Sequence, residues 1–188
     1  MHRYPYSACA TRSDPTYPTI GRLLSENATA GMARTVRGAV AAAHRAGLPL
    51  RVSELNSVTC GVRGVSNTLP TALWAPDALF ELRRAGVASI LIHVRAHAIN
   101  AAFSLGHHGL TAHPLLYGLV IFNRMLGLDP QMVALHLLAR RSLHLKAWAV
   151  RSRPNIVRVL VIDKGRRGTT VGLTLPTQCD RATPAGIS

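Results

Sequence analysis

Two short apolar runs alternate with helical patterns along the first 128 residues of this chain. Residues 48–55 (LPLRVSEL) and 87–94 (VASILIHV) have the length and the apolar content of strands, and the second reads as a strand buried on both faces. Helical periodicity is present at residues 25–47, 66–86 and 114–127. The order helix, strand, helix, strand, helix is typical of an α/β fold with a parallel sheet.

The pattern changes after Gly127, where short runs with period-two alternation follow each other. We expect four antiparallel strands there, joined in one case by a tight turn at Lys164–Gly168. These strands are predicted at residues 132–139, 143–151, 156–165 and 169–176. The predicted organisation is therefore an α/β region at residues 1–128, a β domain at 129–176 and a disordered polar tail at 177–188.

A lone carboxylate, Glu54, stands at the end of the first predicted strand. The chain has only eight Asp and Glu in 188 residues, so such a placement is notable. The polar residues Asn56 and Ser57 and a turn rich in glycine follow directly. Carboxylates at the C-terminal ends of parallel strands can act as nucleophile, general base or ligand. The structural alternative is a Glu54 that caps the next loop or pairs with an arginine.

The charge of the chain is strongly basic, with 22 Lys and Arg against 8 Asp and Glu and a net charge of +14. Such a balance predicts affinity for polyanions such as nucleic acid, anionic lipid or acidic polysaccharide. The arginines are scattered rather than grouped in runs, which favours a general surface property over a specific nucleic-acid site. No signal peptide and no membrane-spanning segment is expected, and the localisation is left open.

The cysteines and histidines do not show the spacing of a metal site. The three cysteines form no CxxC pair, and His93 and His97 lack the glutamate of a zincin helix. No dinucleotide or phosphate-binding fingerprint is present, so no cofactor is expected. Cys9 and Cys60 each follow a predicted strand end, which allows either a disulfide between them or two free buried thiols.

Three segments together resemble one family of enzymes. RVSELNSVTCG at 51–61, GVSNTLPTALWAPDALFELRRAGV at 64–87 and HPLLYGLVIF at 113–122 are similar to the C-terminal half of glycoside hydrolase family 79, the heparanase and β-glucuronidase group. The resemblance covers roughly residues 1–176. It implies the end of a TIM (β/α)₈ barrel followed by part of a β-sandwich. The sixth, seventh and eighth barrel strands would correspond to His2–Cys9, Leu48–Glu54 and Val87–Val94.

The resemblance also implies a retaining O-glycosidase mechanism with two carboxylates. Glu54 matches the position of the nucleophile. Asn56 and Ser57 match the polar residues that support it, His2, Tyr4 and Tyr6 would flank it and line a sugar subsite, and His93 would face the substrate or pack a loop. The substrate-binding residues implied in this way are His2, Tyr4, Tyr6, Asn56, Ser57 and His93. The expected partner is a carbohydrate, an acidic glycan.

The first five barrel strands of the family, and with them the acid/base glutamate, have no counterpart in the sequence. We therefore expect a truncated or split enzyme that is inactive alone and needs a missing N-terminal barrel segment. The alternative function is a non-catalytic basic module that binds acidic polysaccharide or nucleic acid. Trp74 and Trp148 fall on predicted interior positions of a helix and a strand, and we expect both in the core.

Overall fold

A computed structural model describes residues 1–95, 97–138, 144–153, 155–165 and 168–174 of the chain. The fold is mixed α/β, with short parallel strands and helices in the first part and an antiparallel sheet in the second. The predicted disordered tail at 177–188 lies outside these residues. No helix in the described ranges is long and apolar enough to cross a membrane.

The parallel sheet forms from three strands that are distant in sequence. They are β1 (His2–Arg3), β3 (Arg51–Leu55) and β5 (Ser89–Ile92), in the order β1-β3-β5. Two further short strands, β2 (Tyr6–Ser7) and β4 (Val58–Thr59), pair in parallel and continue the first two. All C-terminal ends of these strands therefore open on the same edge of the sheet, as the sequence predicts for an α/β fold.

The first predicted helix, at residues 25–47, is broken into pieces. A 3₁₀ turn (Glu26–Ala28) and helices α2 (Ala30–Arg34) and α3 (Arg37–Arg45) take its place, and a short helix that the sequence did not predict, α1 (Ile20–Leu23), precedes them. Between the 3₁₀ turn and α2, two hydrogen bonds join the chain to residues that are distant in sequence. The carbonyl of Ala28 accepts a hydrogen bond from the Trp74 indole, and the Thr29 hydroxyl donates to Asp77. Tertiary hydrogen bonds thus compete with the helical ones at this point.

Helix α4 (Leu69–Arg84) is the centre of the first hydrophobic core. Its Pro76 is accommodated inside the helix, while Pro70 lies in the first turn, where its missing N–H costs nothing. Helix α5 (Pro114–Leu126) packs across it at Gly118, where an added Cβ would lie 2.6 Å from the Ala72 carbonyl oxygen. Glycine is thus required for this close approach of the two helices.

The stretch between the last parallel strand and α5, for which the sequence analysis predicts no strand, contains a hairpin. The hairpin consists of β6 (Phe103–Gly106) and β7 (Gly109–Ala112). A polar two-residue turn, His107–His108, followed by glycine with positive φ joins the strands. The apolar residues of both strands are largely exposed and two histidines form the turn, so the sequence shows neither an alternating pattern nor a typical turn pair here.

The antiparallel sheet contains three strands, β8 (Leu128–Val133), β9 (Leu145–Arg153) and β10 (Ile156–Asp163), in the order β10-β9-β8. The second and third overlap the predicted strands, whereas β8 shares only Met132 and Val133 with the first predicted strand, and residues 134–138 of that prediction are not in a strand. A β-bulge between Leu128 and Gln131 lets the chain leave α5 directly into the strand. Residues 169–174 of the fourth predicted strand are not in a strand, and its last two residues lie outside the described ranges, as do two residues of the predicted turn.

The antiparallel sheet contacts α4 through aromatic and ionic contacts. Trp148 stacks on Phe80, with ring centroids 5.2 Å apart, and both tryptophans are buried as predicted. The Asp77 carboxylate on α4 accepts hydrogen bonds from Thr29, from the Trp148 indole (3.0 Å) and from Lys164 Nζ (2.6 Å). Lys146 lies 2.9 Å from Glu81 and 2.6 Å from Glu26. We call Glu26, Asp77, Glu81, Lys146 and Lys164 the lysine–carboxylate cluster.

Candidate active site

Glu54 lies at the C-terminal end of β3, where the parallel strands open. In the strand register it stands directly opposite His2 of β1. On its other side, the four residues of β3 from Val52 to Leu55 lie opposite the three residues of β5 from Ile90 to Ile92, which is a bulge. A bulge adds twist and re-aims a side chain. The bulge therefore lets Glu54 project from the strand end while Val52 and Leu55 stay in the core.

The hydroxyl of Tyr4 donates a hydrogen bond to Glu54 Oε1. This bond is the main cause that lowers the pKa of Glu54 below its ordinary value; partial burial opposes it, and His2 and His93 add to it. Partial burial and the bond to Glu54 raise the pKa of Tyr4 above its ordinary value. The pair therefore consists of an ionised carboxylate and a neutral phenol at neutral pH.

Two imidazole rings stand on either side of the Glu54 carboxylate. The Nδ1 atom of His2 lies 3.4 Å from Oε2, and the Nδ1 atom of His93 lies 3.3 Å from Oε1. The Glu54 side chain is 26% exposed and that of His2 is 66% exposed. The carboxylate is thus reachable from solvent on the His2 side, while Oε1 is already held by Tyr4.

A buried amide network fixes the loops behind Glu54. Asn56 is fully buried and donates from Nδ2 to the carbonyls of His93 and Asn100, both at 3.0 Å. Its Oδ1 accepts from the backbone N–H of Ser57, which is also buried. Asn100 in turn donates to the carbonyl of Val58 at 2.8 Å. Asn56 and Ser57 therefore support the site from below and do not line its open face.

The turn that follows β4 needs its glycine. Gly61 has a φ of +72°, and an added Cβ would meet Ile99 at 2.2 Å and the Asn100 backbone N at 3.0 Å. Only glycine accepts both the backbone angle and the contact. The predicted turn rich in glycine thus serves to bring the Asn100 loop against β4. No pattern in the sequence points to Asn100 beyond its polar character.

Tyr6 is the predicted site residue that the structure places elsewhere. It is 3% exposed, and its hydroxyl donates to the Arg22 carbonyl at 2.6 Å. The tyrosine forms part of the hydrophobic core and does not line the open face of the site. Cys9 and Cys60 are free and exposed, so these two cysteines form neither the disulfide nor the pair of buried thiols that the sequence allowed.

The other carboxylates of the described residues have partners away from Glu54. Asp14 accepts bonds from Thr16, Asp129 pairs with Arg153, and Asp163 accepts from the Gly165 N–H. The remaining three, Glu26, Asp77 and Glu81, belong to the lysine–carboxylate cluster. Within the described ranges, no group of three or more metal-ligating side chains is present.

Comparison with known proteins identifies a structural neighbour. No family model and no curated protein sequence matches the chain. Among solved structures, the fold matches that of a 4-O-α-L-rhamnosyl-β-D-glucuronidase from Fusarium oxysporum 12S, determined as a Rha-GlcA complex, with a TM-score of 0.68 and 19% identity. The fold is similar to part of a glucuronidase. The match covers 90% of this chain and 35% of that one, so this chain spans about a third of its length.

At this level of identity, the similarity concerns the fold. A glycosidase-like fold is consistent with the sequence resemblance, whereas membership of family 79 stays a prediction. The roles of Glu54 and of the residues around it are argued from their geometry.

Proposed function

We propose that the chain carries the nucleophile side of a retaining glycosidase site that acts on glucuronides or related acidic glycans. The observation that supports this most is the environment of Glu54. It is an accessible carboxylate at the C-terminal end of a parallel strand, held by the Tyr4 hydroxyl with its pKa lowered. A nucleophilic carboxylate must be ionised and oriented, and this arrangement provides both.

The proposed reaction is a double displacement. Glu54 Oε2 attacks the anomeric carbon while the bond from that carbon to the leaving oxygen breaks, and the leaving oxygen takes a proton from an acid. A water molecule then attacks the glycosyl ester, gives its proton to the same group as base, and releases the sugar and the Glu54 carboxylate. We assign the attack to Oε2 because Oε1 is occupied by Tyr4 and lies beside His93.

The general acid has no candidate beside Glu54 among the described residues. In retaining enzymes the second carboxyl group lies about 5–5.5 Å from the nucleophile. The strands β1 and β5 each have a partner on one side only within the described ranges, which leaves backbone groups free for further strands. We propose that a further barrel segment pairs there and brings the acid. Without it, hydrolysis of natural substrates would be slower by about 10²–10⁴-fold.

The role of Glu54 can be tested without that segment. A 2,4-dinitrophenyl leaving group departs without protonation, so an aryl glucuronide of this kind needs only the nucleophile. We expect the chain to release one dinitrophenolate per site in a burst and to favour the β-glucuronide over the β-glucoside. Glu54→Gln should remove the burst, because an amide cannot form the glycosyl ester.

Asp14→Asn is the matched control, since it also removes one carboxylate but lies in a loop hydrogen-bonded to Thr16. It should keep the burst of the wild type. An equal burst in Glu54→Gln and the wild type, or none in the wild type, would contradict the proposal and leave the basic binding module as the function.

A further inference from the structure

A polar cavity lies on the antiparallel sheet, in the other part of the fold from Glu54. Its volume is about 250 Å³. The lining residues are Asp129, Gln131, Arg151, Ser152, Arg153 and Asn155. Pockets for drug-sized ligands measure about 300–1,000 Å³, so this cavity suits a smaller molecule, of the size of one sugar ring.

The strand geometry explains why polar groups converge there. Arg151 and Arg153 are two residues apart on β9 and share the face of the sheet that points away from Trp148 and Val150. Gln131 is the register partner of Arg151 on β8, so it lies beside Arg151 on that face. The bulge at Asp129 and the turn at Asn155, both with positive φ, lie at the same end of the sheet, beside Arg153.

The charges in the cavity are unbalanced. Arg153 donates from Nε and Nη2 to Asp129 Oδ2 at 3.1 and 2.9 Å, so these two side chains neutralise each other. No carboxylate among the described residues forms a salt bridge with Arg151, and its Nε is buried without a hydrogen-bond partner there. The Arg151 side chain therefore lacks hydrogen-bond acceptors that it needs, because a guanidinium is not deprotonated in proteins and keeps its five N–H donors.

We propose that this cavity binds a small hydroxylated carboxylate, of the class to which uronic acids belong. The planar guanidinium of Arg151 matches a carboxylate with two parallel hydrogen bonds. The amides of Gln131 and Asn155 donate to and accept from ring hydroxyls, and the Asp129 carboxylate accepts from one more. A dianion such as phosphate fits less well, because Arg153 is paired with Asp129 and Arg151 is then the one unpaired positive charge among the lining residues.

The site is separate from Glu54, so its test does not depend on the proposed catalysis. The measurement is a titration of the ¹⁵N-labelled full chain with D-glucuronate, D-glucose and inorganic phosphate at fixed ionic strength. The side-chain amide signals of Gln131 and Asn155 report on this cavity alone. We expect both to shift and saturate with glucuronate, and to need at least tenfold more glucose or phosphate.

Three variants identify the cause of binding. Arg151→Gln removes the proposed carboxylate ligand and should weaken glucuronate affinity about tenfold to a hundredfold, the loss expected for a charged hydrogen bond. Gln131→Ala leaves the charge unchanged and should still weaken binding severalfold, followed through the Asn155 amide. Arg45→Gln, at an exposed position in the last turn of α3, removes the same charge and should have no effect.

The proposal is overturned if neither amide signal responds to glucuronate in the wild type. It is also overturned if Arg45→Gln and Arg151→Gln weaken binding equally, because a general electrostatic attraction would then explain it. A wild-type-like thermal melt of each variant shows that the changes are local.

Discussion

The two sheets of this molecule differ in where their charged side chains lie and in what those side chains contact. The parallel sheet exposes its one carboxylate, Glu54, at the strand ends and surrounds it with a phenol and two imidazoles. Where the antiparallel sheet meets helix α4, Lys146 and Lys164, the only lysines of the chain, contact three carboxylates, of which Asp77 and Glu81 are buried. The first arrangement leaves a carboxylate free to react, and the second uses carboxylates to hold two layers together.

The difference shows which charges are structural. A buried ion pair gains little over apolar residues, yet removing one partner is costly because the other charge stays uncompensated. An exposed carboxylate such as Glu54 contributes little to folding, and its arrangement is better explained by chemistry than by stability. The following changes test this contrast, from the largest effect to the smallest.

Asp77→Ala should have the largest effect on stability. Asp77 is fully buried and accepts bonds from Thr29, Trp148 and Lys164, so its removal leaves the Lys164 ammonium and the indole without an acceptor. We expect a loss of about 3–5 kcal/mol in the free energy of unfolding, measured by urea denaturation.

Asp129→Ala is the control for this change, because it breaks the exposed pair with Arg153. It should cost about 1 kcal/mol or less. Equal losses in the two variants would remove the distinction between buried and exposed charges on which the comparison rests.

Asn56→Ala should have an intermediate effect on the free energy of unfolding and should also change the environment of His93 in the candidate site. It removes the two bonds from Asn56 Nδ2 and the bond that Oδ1 accepts, and so leaves the carbonyls of His93 and Asn100 and the N–H of Ser57 unpaired, at a cost of about 1–3 kcal/mol. Because His93 is held by this bond, its ring resonances should also shift in NMR spectra. Asn67→Ala, which loses one exposed bond to the Gly64 N–H, should change neither quantity appreciably. Unshifted His93 signals in Asn56→Ala would contradict the supporting role.

Tyr4→Phe should have the smallest effect on stability and a clear effect on titration. The Tyr4 hydroxyl is the main cause of the lowered pKa of Glu54, so its removal should raise that pKa toward the ordinary glutamate value, about 4.3. A lowered pKa in the folded state adds stability above the ordinary pKa, and this is lost as pH falls through the folded value.

The wild type should therefore lose this small contribution in acid below the ordinary glutamate range, and Tyr4→Phe should lack it at all pH values. The pKa of Glu54 can be followed by carboxyl ¹³C NMR in both proteins. An unchanged pKa in Tyr4→Phe would show that the hydrogen bond does not set the ionisation of Glu54.

The sequence was most informative where local pattern and tertiary role coincide. The strand of Glu54, helix α4 and the burial of Trp74 and Trp148 follow from apolar periodicity and from glycine and proline positions. The same reasoning failed at residues 25–47, where bonds from Trp74 and to Asp77 interrupt a helical pattern. Those partners are 46 and 48 residues away, so no local pattern could reveal them.

The candidate site shows the same division. Glu54 could be found from the sequence because a carboxylate at a strand end is a local signal, and Tyr4 and His2 from the resemblance to a family. The burial of Tyr6 could not be found, because its partner Arg22 lies in a helix that the sequence did not predict. The contribution of Asn100 depends on three backbone segments that meet only in the folded chain.

The most direct test of the nucleophile assignment is covalent trapping. A 2,4-dinitrophenyl 2-deoxy-2-fluoro-β-D-glucuronide forms a long-lived glycosyl ester without a general acid, because the fluorine slows the hydrolysis of the ester more than its formation. Intact-mass measurement followed by peptide sequencing should find one added sugar, on Glu54, in the wild type and none in Glu54→Gln. A label on another residue, or an equal label in Glu54→Gln, would contradict the account.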